Sequence, residues 1–143
     1  MILHFNQITK DNKKFIDDIV GKPFTLYQAF KMGGIGSKRM SIDNTSENIY
    51  HLLNSTSDIN YSNIELRPNG IIVMINKGLE RYHWVIPFRQ LVIYKTDKLS
   101  IHAQGKYITF KNSKSYKENK KFIDKIIDMK LDNQKKYAMP IYG

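Results

Sequence analysis

The string with the clearest chemical potential is Gly33-Gly34-Ile35-Gly36-Ser37-Lys38, because a glycine-rich backbone can wrap a phosphate and a nearby lysine can neutralise it. The spacing fails for both common phosphate loops. One needs four residues between its glycines and then Lys followed by Ser or Thr, whereas Ser37 precedes Lys38; the dinucleotide loop needs a preceding strand and a following helix. The string reads as a mobile connector. Four histidines, His4, His51, His83 and His102, have no spacing that places two metal ligands on one element, although His83 and His102 fall on expected strands and could approach across a sheet. With no cysteine in the chain, neither a thiolate metal site nor a disulfide framework is possible. Asp17, Asp18, Asp58, Glu65, Glu80 and Asp97 fall on helix surfaces, turns and strand edges, and no serine lies in a nucleophile elbow. No catalytic residue, metal or cofactor is nominated, and no enzymatic activity is expected.

Binding chemistry is better represented. The 143 residues carry a formal charge of +10, unevenly: +2 over residues 1–50, +2 over 51–103 and +6 over 104–143. Lys106, Lys111, Lys114, Lys117, Lys120, Lys121 and Lys125 form a possible anion-binding surface, since clustered cations attract polyanions by counterion release. Against that, lysine outnumbers arginine 19 to 4, and base and phosphate recognition favours the bidentate arginine fork. Ile, Lys and Asn fill 51 positions, a bias that by itself raises the charge, so the lysines are first of all a solvated face. Tyr82, Trp84 and Ile86 share one strand face; aromatics on a sheet can stack bases, but a single Trp under a covering helix belongs to the core.

The elements that would position these groups follow from periodicity. Phe15, Ile16, Ile19 and Val20 mark an amphipathic helix over 11–20, stopped by Gly21 and Pro23, and another helical turn or two fits 24–30. Asn44 to Glu47 reads as a helix start leading to Leu53. From Tyr61 the pattern changes to short strands: 61–67 and 70–76 around Arg67-Pro68-Asn69-Gly70, 81–86 up to Pro87, 91–94, 99–103, and 106–110 after Gln104-Gly105. Phe122, Ile123, Ile126, Ile127 and Leu131 then follow the helical period. The hexapeptide Asn12 to Asp17 recurs as Asn119 to Asp124, which predicts two helices with similar faces. The expected fold class is α+β: a bent antiparallel sheet of about six strands closed by a C-terminal amphipathic helix. An N-terminal helical extension occupies 1–57 with its connector at 33–37, the sheet and closing helix 58–131, and a tail 132–143. The start of the chain lacks a signal-peptide pattern and no apolar run approaches the roughly 18 residues that span a bilayer, so a soluble cytoplasmic protein is expected.

The run Ile86-Pro87-Phe88-Arg89-Gln90-Leu91, the paired segments Leu99 to Phe110 around Gly105, and Asn119 to Ile127 resemble the bacterial pleckstrin-homology-like (PH-like) domains. The resemblance covers residues 58–131 and implies a bent antiparallel sheet plugged by its last helix. Phe122 stands where the closing helix of phosphoinositide-binding members usually carries tryptophan, and Arg67-Pro68-Asn69-Gly70 is a minimal turn where their first hairpin loop is long and basic. What the resemblance implies is therefore a scaffold for protein or peptide contacts. The function expected is a non-catalytic binding or assembly module that meets a protein or peptide partner, or a second copy as a homo-oligomer, through a sheet edge or the N-terminal helix. The alternative is a basic surface for nucleic acid or an anionic membrane.

Overall fold

A computed structural model describes residues 2–4, 10–53, 60–77, 80–112 and 114–137. In chain order the elements are β1 (Ile2–His4), α1 (Lys10–Val20), α2 (Leu26–Lys31), β2 (Met40–Thr45), α3 (Glu47–Tyr50), β3 (Tyr61–Arg67), β4 (Gly70–Lys77) and β5 (Glu80–Pro87). A 3₁₀ turn (Phe88–Gln90) leads to β6 (Val92–Lys95), β7 (Leu99–Ala103), β8 (Lys106–Phe110), α4 (Lys114–Glu118) and α5 (Lys120–Tyr137). The architecture is α+β, and no helix among the described residues is long and apolar enough to cross a membrane.

All six strands expected between Tyr61 and Phe110 are present, but the antiparallel sheet has eight, in the order β1-β5-β4-β3-β2-β8-β7-β6. The two further strands come from the stretch expected to be a helical extension. β1 pairs with β5, Ile2 opposite Trp84, and β2 lies in the middle of the sheet. Met40 and Ser41 pair with Ser62 and Tyr61 of β3, whereas Ile42, Asn44 and Thr45 pair with Phe110, Thr109 and Ile108 of β8. The register shift between Ile42 and Asn44 is a β-bulge, which bends the strand as it passes from one meander to the other.

The connector at 33–37 is tied to the sheet by hydrogen bonds. Ser37 N–H donates to the Ile64 carbonyl at 2.8 Å, Leu66 N–H to the Ile35 carbonyl at 2.7 Å, and Ile64 N–H to Ser37 Oγ at 2.8 Å. The segment runs antiparallel beside β3 because its glycines allow the entry turn: Gly33 and Gly34 have φ of 76° and 105°. At Lys38 the ladder is interrupted, and the carboxamide of Asn119 takes over both backbone groups. Lys38 N–H donates to Asn119 Oδ1 at 2.8 Å and Asn119 Nδ2 donates to the Lys38 carbonyl at 3.2 Å.

The inner face of the sheet carries the main core. Ile64, Leu66, Ile71, Val73, Trp84, Ile86, Leu99, Ile101, Ile108 and Phe110 pack with Phe122, Ile123 and Ile126 of α5, so α5 closes the sheet as expected. Leu131, expected on the same face, is half-exposed, and helix continues to Tyr137 where a tail was expected. The rest of that tail, 138–143, lies outside the described residues. α3 is shorter than expected because Asn44 and Thr45 belong to β2; Leu52 and Leu53 still pack against the core.

On the outer face, Ile16 and Val20 of α1 pack against Ile72 of β4 and Val85 of β5. Arg67, almost fully buried, fastens this layer: Nη1 donates to Asp17 Oδ1 at 3.0 Å and to the Gly21 carbonyl at 2.9 Å, and Nε pairs with Glu65. The end of α1 therefore sits on the β3–β4 turn, where Asn69 N–H also donates to the Val20 carbonyl at 2.8 Å. Gly70 permits the approach. A Cβ there would lie 2.2 Å from the Ile86 carbonyl oxygen and 2.7 Å from Val20 Cγ1. Gly70→Ala should destabilise the fold by about 2–4 kcal/mol, because backbone of β5 must move to admit it; the urea midpoint measures this, and an unchanged midpoint contradicts the close approach.

Candidate functional site

The seven lysines expected to form one surface do not stay together. Lys106 starts β8 with its Nζ 3.4 Å from the Gln104 carbonyl, and Lys111 follows the other end of that strand, about 16 Å away at ~3.3 Å per residue. Lys125 is half-buried, donating to the Gly34 carbonyl at 2.9 Å with its Nζ 6.0 Å from the Phe122 ring centroid. Lys111, Lys114, Lys117, Lys120 and Lys121 are exposed around α4 and the start of α5. Two cations that the sequence reading left out join them. The Asn119 clamp holds Lys38 at the α4–α5 junction, where its Nζ lies 3.5 Å from Glu118, and Arg39 follows with its guanidinium 4.5 Å from the Tyr61 ring centroid. Nothing in the spacing of residues 38 and 119 announces this contact; it follows from the interrupted ladder.

β6 ends the sheet, and among the described residues it pairs with β7 alone, from Val92 opposite His102 to Lys95 opposite Leu99. Alternation turns Ile93 towards the core and leaves Val92 and Tyr94 exposed. Lys95 is joined to Asp124 of α5 by an ion pair, and this hydrogen bond holds the ammonium above its ordinary pKa. Ile127 and Leu131 follow Asp124 along the same side of α5 at helical spacing, so an apolar strip of α5 continues beside the strand. On the solvent face, the Tyr94 ring meets His102 edge-on at 4.9 Å, and His102 stacks on Tyr107 at 5.4 Å, giving an aromatic row across three strands. The β7–β8 turn beneath it has positive φ at both Gln104 (55°) and Gly105 (76°), as a two-residue hairpin requires.

Tyr82, Trp84 and Ile86 face inward. Trp84 is fully buried, and its indole N–H donates to Gln104 Oε1 at 3.2 Å, so this face is core and not a stacking platform. His83 and His102 stand on strands five places apart in the sheet order, and His102 is flanked by Tyr94 and Tyr107. His51 is exposed after α3, and among the described residues no three His, Asp or Glu side chains gather to hold a metal ion. A cleft of about 660 Å³ opens between α1, the β3–β4 turn, the 3₁₀ turn and the end of α5, with Asp18, Arg89, Asn69 and Asn133 on its walls. No family description, curated protein or solved structure matches the chain.

His83 is buried on β5, and burial, aided by the charge of Arg81, pushes its pKa down to about 4. The unfolded chain takes up this proton near pH 6.5 and the folded one only near 4, so stability is lost as pH falls through that window, by up to about 3 kcal/mol. Comparing His83→Gln with the parent in urea at pH 7 and pH 4.5 should show the variant losing less on acidification; equal losses contradict the depressed pKa.

Proposed function

We propose that the chain is a PH-like, non-catalytic binding module that takes an extended protein segment along β6 beside α5. The observation that carries this reading is the β6 edge: a strand with one partner among the described residues, exposed Val92 and Tyr94, and a Lys95–Asp124 pair that joins strand to helix at one end. An added peptide strand hydrogen-bonds to the free edge, and its alternate side chains reach Tyr94 on one side and the Ile127–Leu131 strip on the other. The PH-like assignment is supported by the order of elements, in which β2 joins two three-stranded meanders and the last helix plugs the sheet. The pairing requires backbone geometry and apolar contact only, which suits a module that binds without transforming its partner. Selection of a displayed random-peptide library on the full chain should enrich extended, alternating apolar peptides that perturb the amide resonances of residues 92–95. Val92→Lys with Tyr94→Lys should weaken those peptides at least about tenfold, equivalent to ~1.4 kcal/mol; enriched peptides that perturb only other surfaces contradict the reading.

A second reading, a basic surface for nucleic acid or an anionic membrane, is favoured by the Asn119 clamp, which adds Lys38 and Arg39 to the lysines of α4 and early α5. Binding of mixed DNA, RNA and anionic vesicles should be strongest at low salt and fall steeply as salt rises. No binding to any of the three at low salt removes this reading.

A further inference from the structure

α2 is a small helix with its apolar residues on the outside. Leu26 is 92% exposed, Tyr27 67% and Phe30 86%, the three largest exposures among the large hydrophobic residues described. Leu26 and Phe30 are four positions apart and Tyr27 and Phe30 three, so they form one ridge about 6 Å long. Ridge and inner face are held apart by fixed contacts. Thr25 and Gln28 make a reciprocal capping box, with Thr25 N–H donating to Gln28 Oε1 at 2.9 Å and Gln28 N–H to Thr25 Oγ1 at 3.2 Å. Phe24 and Met32, at either end, pack into the main core. Gly34 N–H donates to the Ala29 carbonyl at 2.8 Å, and the Gly34 carbonyl is held by Lys125. The helix is anchored by its ends and inner side, and the ridge is presented outward.

The chain segment that carries the ridge has charge of one sign. No acidic residue occurs between Asp18 and Asp43, while Lys22, Lys31, Lys38 and Arg39 do. Lys31 lies with its Nζ 4.8 Å from the Tyr27 ring centroid, so a cation stands directly behind the apolar tip. Lys121 precedes Lys125 by one turn on the flank of α5 that meets Gly34, bringing helix lysines to the same side. Two acids share this flank of α5: Glu118, which is paired with Lys38, and Asp128, three residues after Lys125.

We infer that α2 is a membrane-docking ridge: Leu26, Tyr27 and Phe30 enter the interfacial region of a bilayer whose anionic headgroups are met by Lys22, Lys31, Lys38 and Lys121. The inference rests on the second reading above and deepens it by naming the surface and the apolar group that selects it. An apolar ridge this exposed suits a fluid layer that closes around it. Tyrosine with lysine behind it matches the gradient from acyl chains to headgroups, and the cations of the 19–42 segment match anionic lipid. Nucleic acid would leave Leu26, the most exposed of the three, in water, because an aliphatic tip gains nothing from phosphate.

The test is co-sedimentation of the full chain with vesicles of phosphatidylcholine alone and of phosphatidylcholine with 30% phosphatidylserine. The parent should bind the anionic vesicles and bind the neutral ones at least about tenfold more weakly, since ~1 kcal/mol accrues for each cation near the surface. Leu26→Ser with Phe30→Ser, at exposed positions that leave the thermal midpoint unchanged, should weaken anionic-vesicle binding on the order of 100-fold. Leu26→Trp should be quenched by brominated acyl chains. Unchanged vesicle binding in the Ser variant, with loss on Lys114→Glu and Lys117→Glu, overturns the ridge while leaving the basic-surface reading in place. Self-association of the parent that the Ser variant abolishes, without vesicle binding, assigns the ridge to a second copy and also overturns the inference.

Discussion

The fold depends on one strand serving two masters. β3-β4-β5 and β6-β7-β8 are each an antiparallel meander, and no backbone ladder joins one directly to the other among the described residues. β2 pairs with both, Met40 and Ser41 on one side and Ile42, Asn44 and Thr45 on the other, and the bulge at Asp43 supplies the change of direction. Met40 and Ile42 are buried in the same core as α5, so the handover also sets where the closing helix can lie. The Asn119 clamp follows from the same constraint. Between Gly36 and Met40, both paired with β3, the ladder is interrupted at the part-buried Lys38 peptide, and Asn119 supplies partners for both of its backbone groups.

The repeated hexapeptide shows one sequence doing two jobs with one device. Ile16 and Ile123 are both buried, but Phe15 is half-exposed on α1 whereas Phe122 is buried on α5. α1 lies on one face of two strands, and α5 fills a bent sheet, which takes up more of its circumference. The two aspartates behave alike: Asp17 binds Arg67 of β3 and Asp124 binds Lys95 of β6. Each helix is thereby pinned to a strand it covers. The buried pair excludes water and orients α1, while the exposed one contributes little energy.

The hairpins were legible because their turns carry their own instructions: Pro68 and Gly70 in one, Gln104-Gly105 in the other, each between clean alternations. β2 was not legible, because the bulge breaks its period after two buried positions and Asn44-Thr45-Ser46 imitates a helix cap. β1 is three residues long, too short for any period to appear. For the surface, lysine type and number were readable but proximity was not, since proximity depends on contacts such as residue 38 with 119 and 125 with 34. The β6 edge was visible only as a possibility, because strand order decides which strand ends a sheet.

The placement of β2 also has a temporal side. Its pairing with β3–β5 needs only residues up to 87, but its other edge waits for Phe110, 68 residues after Ile42. During synthesis the first meander can assemble with β2 attached, and it then carries an open, apolar-backed edge until β8 leaves the ribosome. The helix that covers Met40 and Ile42 arrives later still. Until α5 follows, the sheet is therefore nearly complete with its interior uncovered.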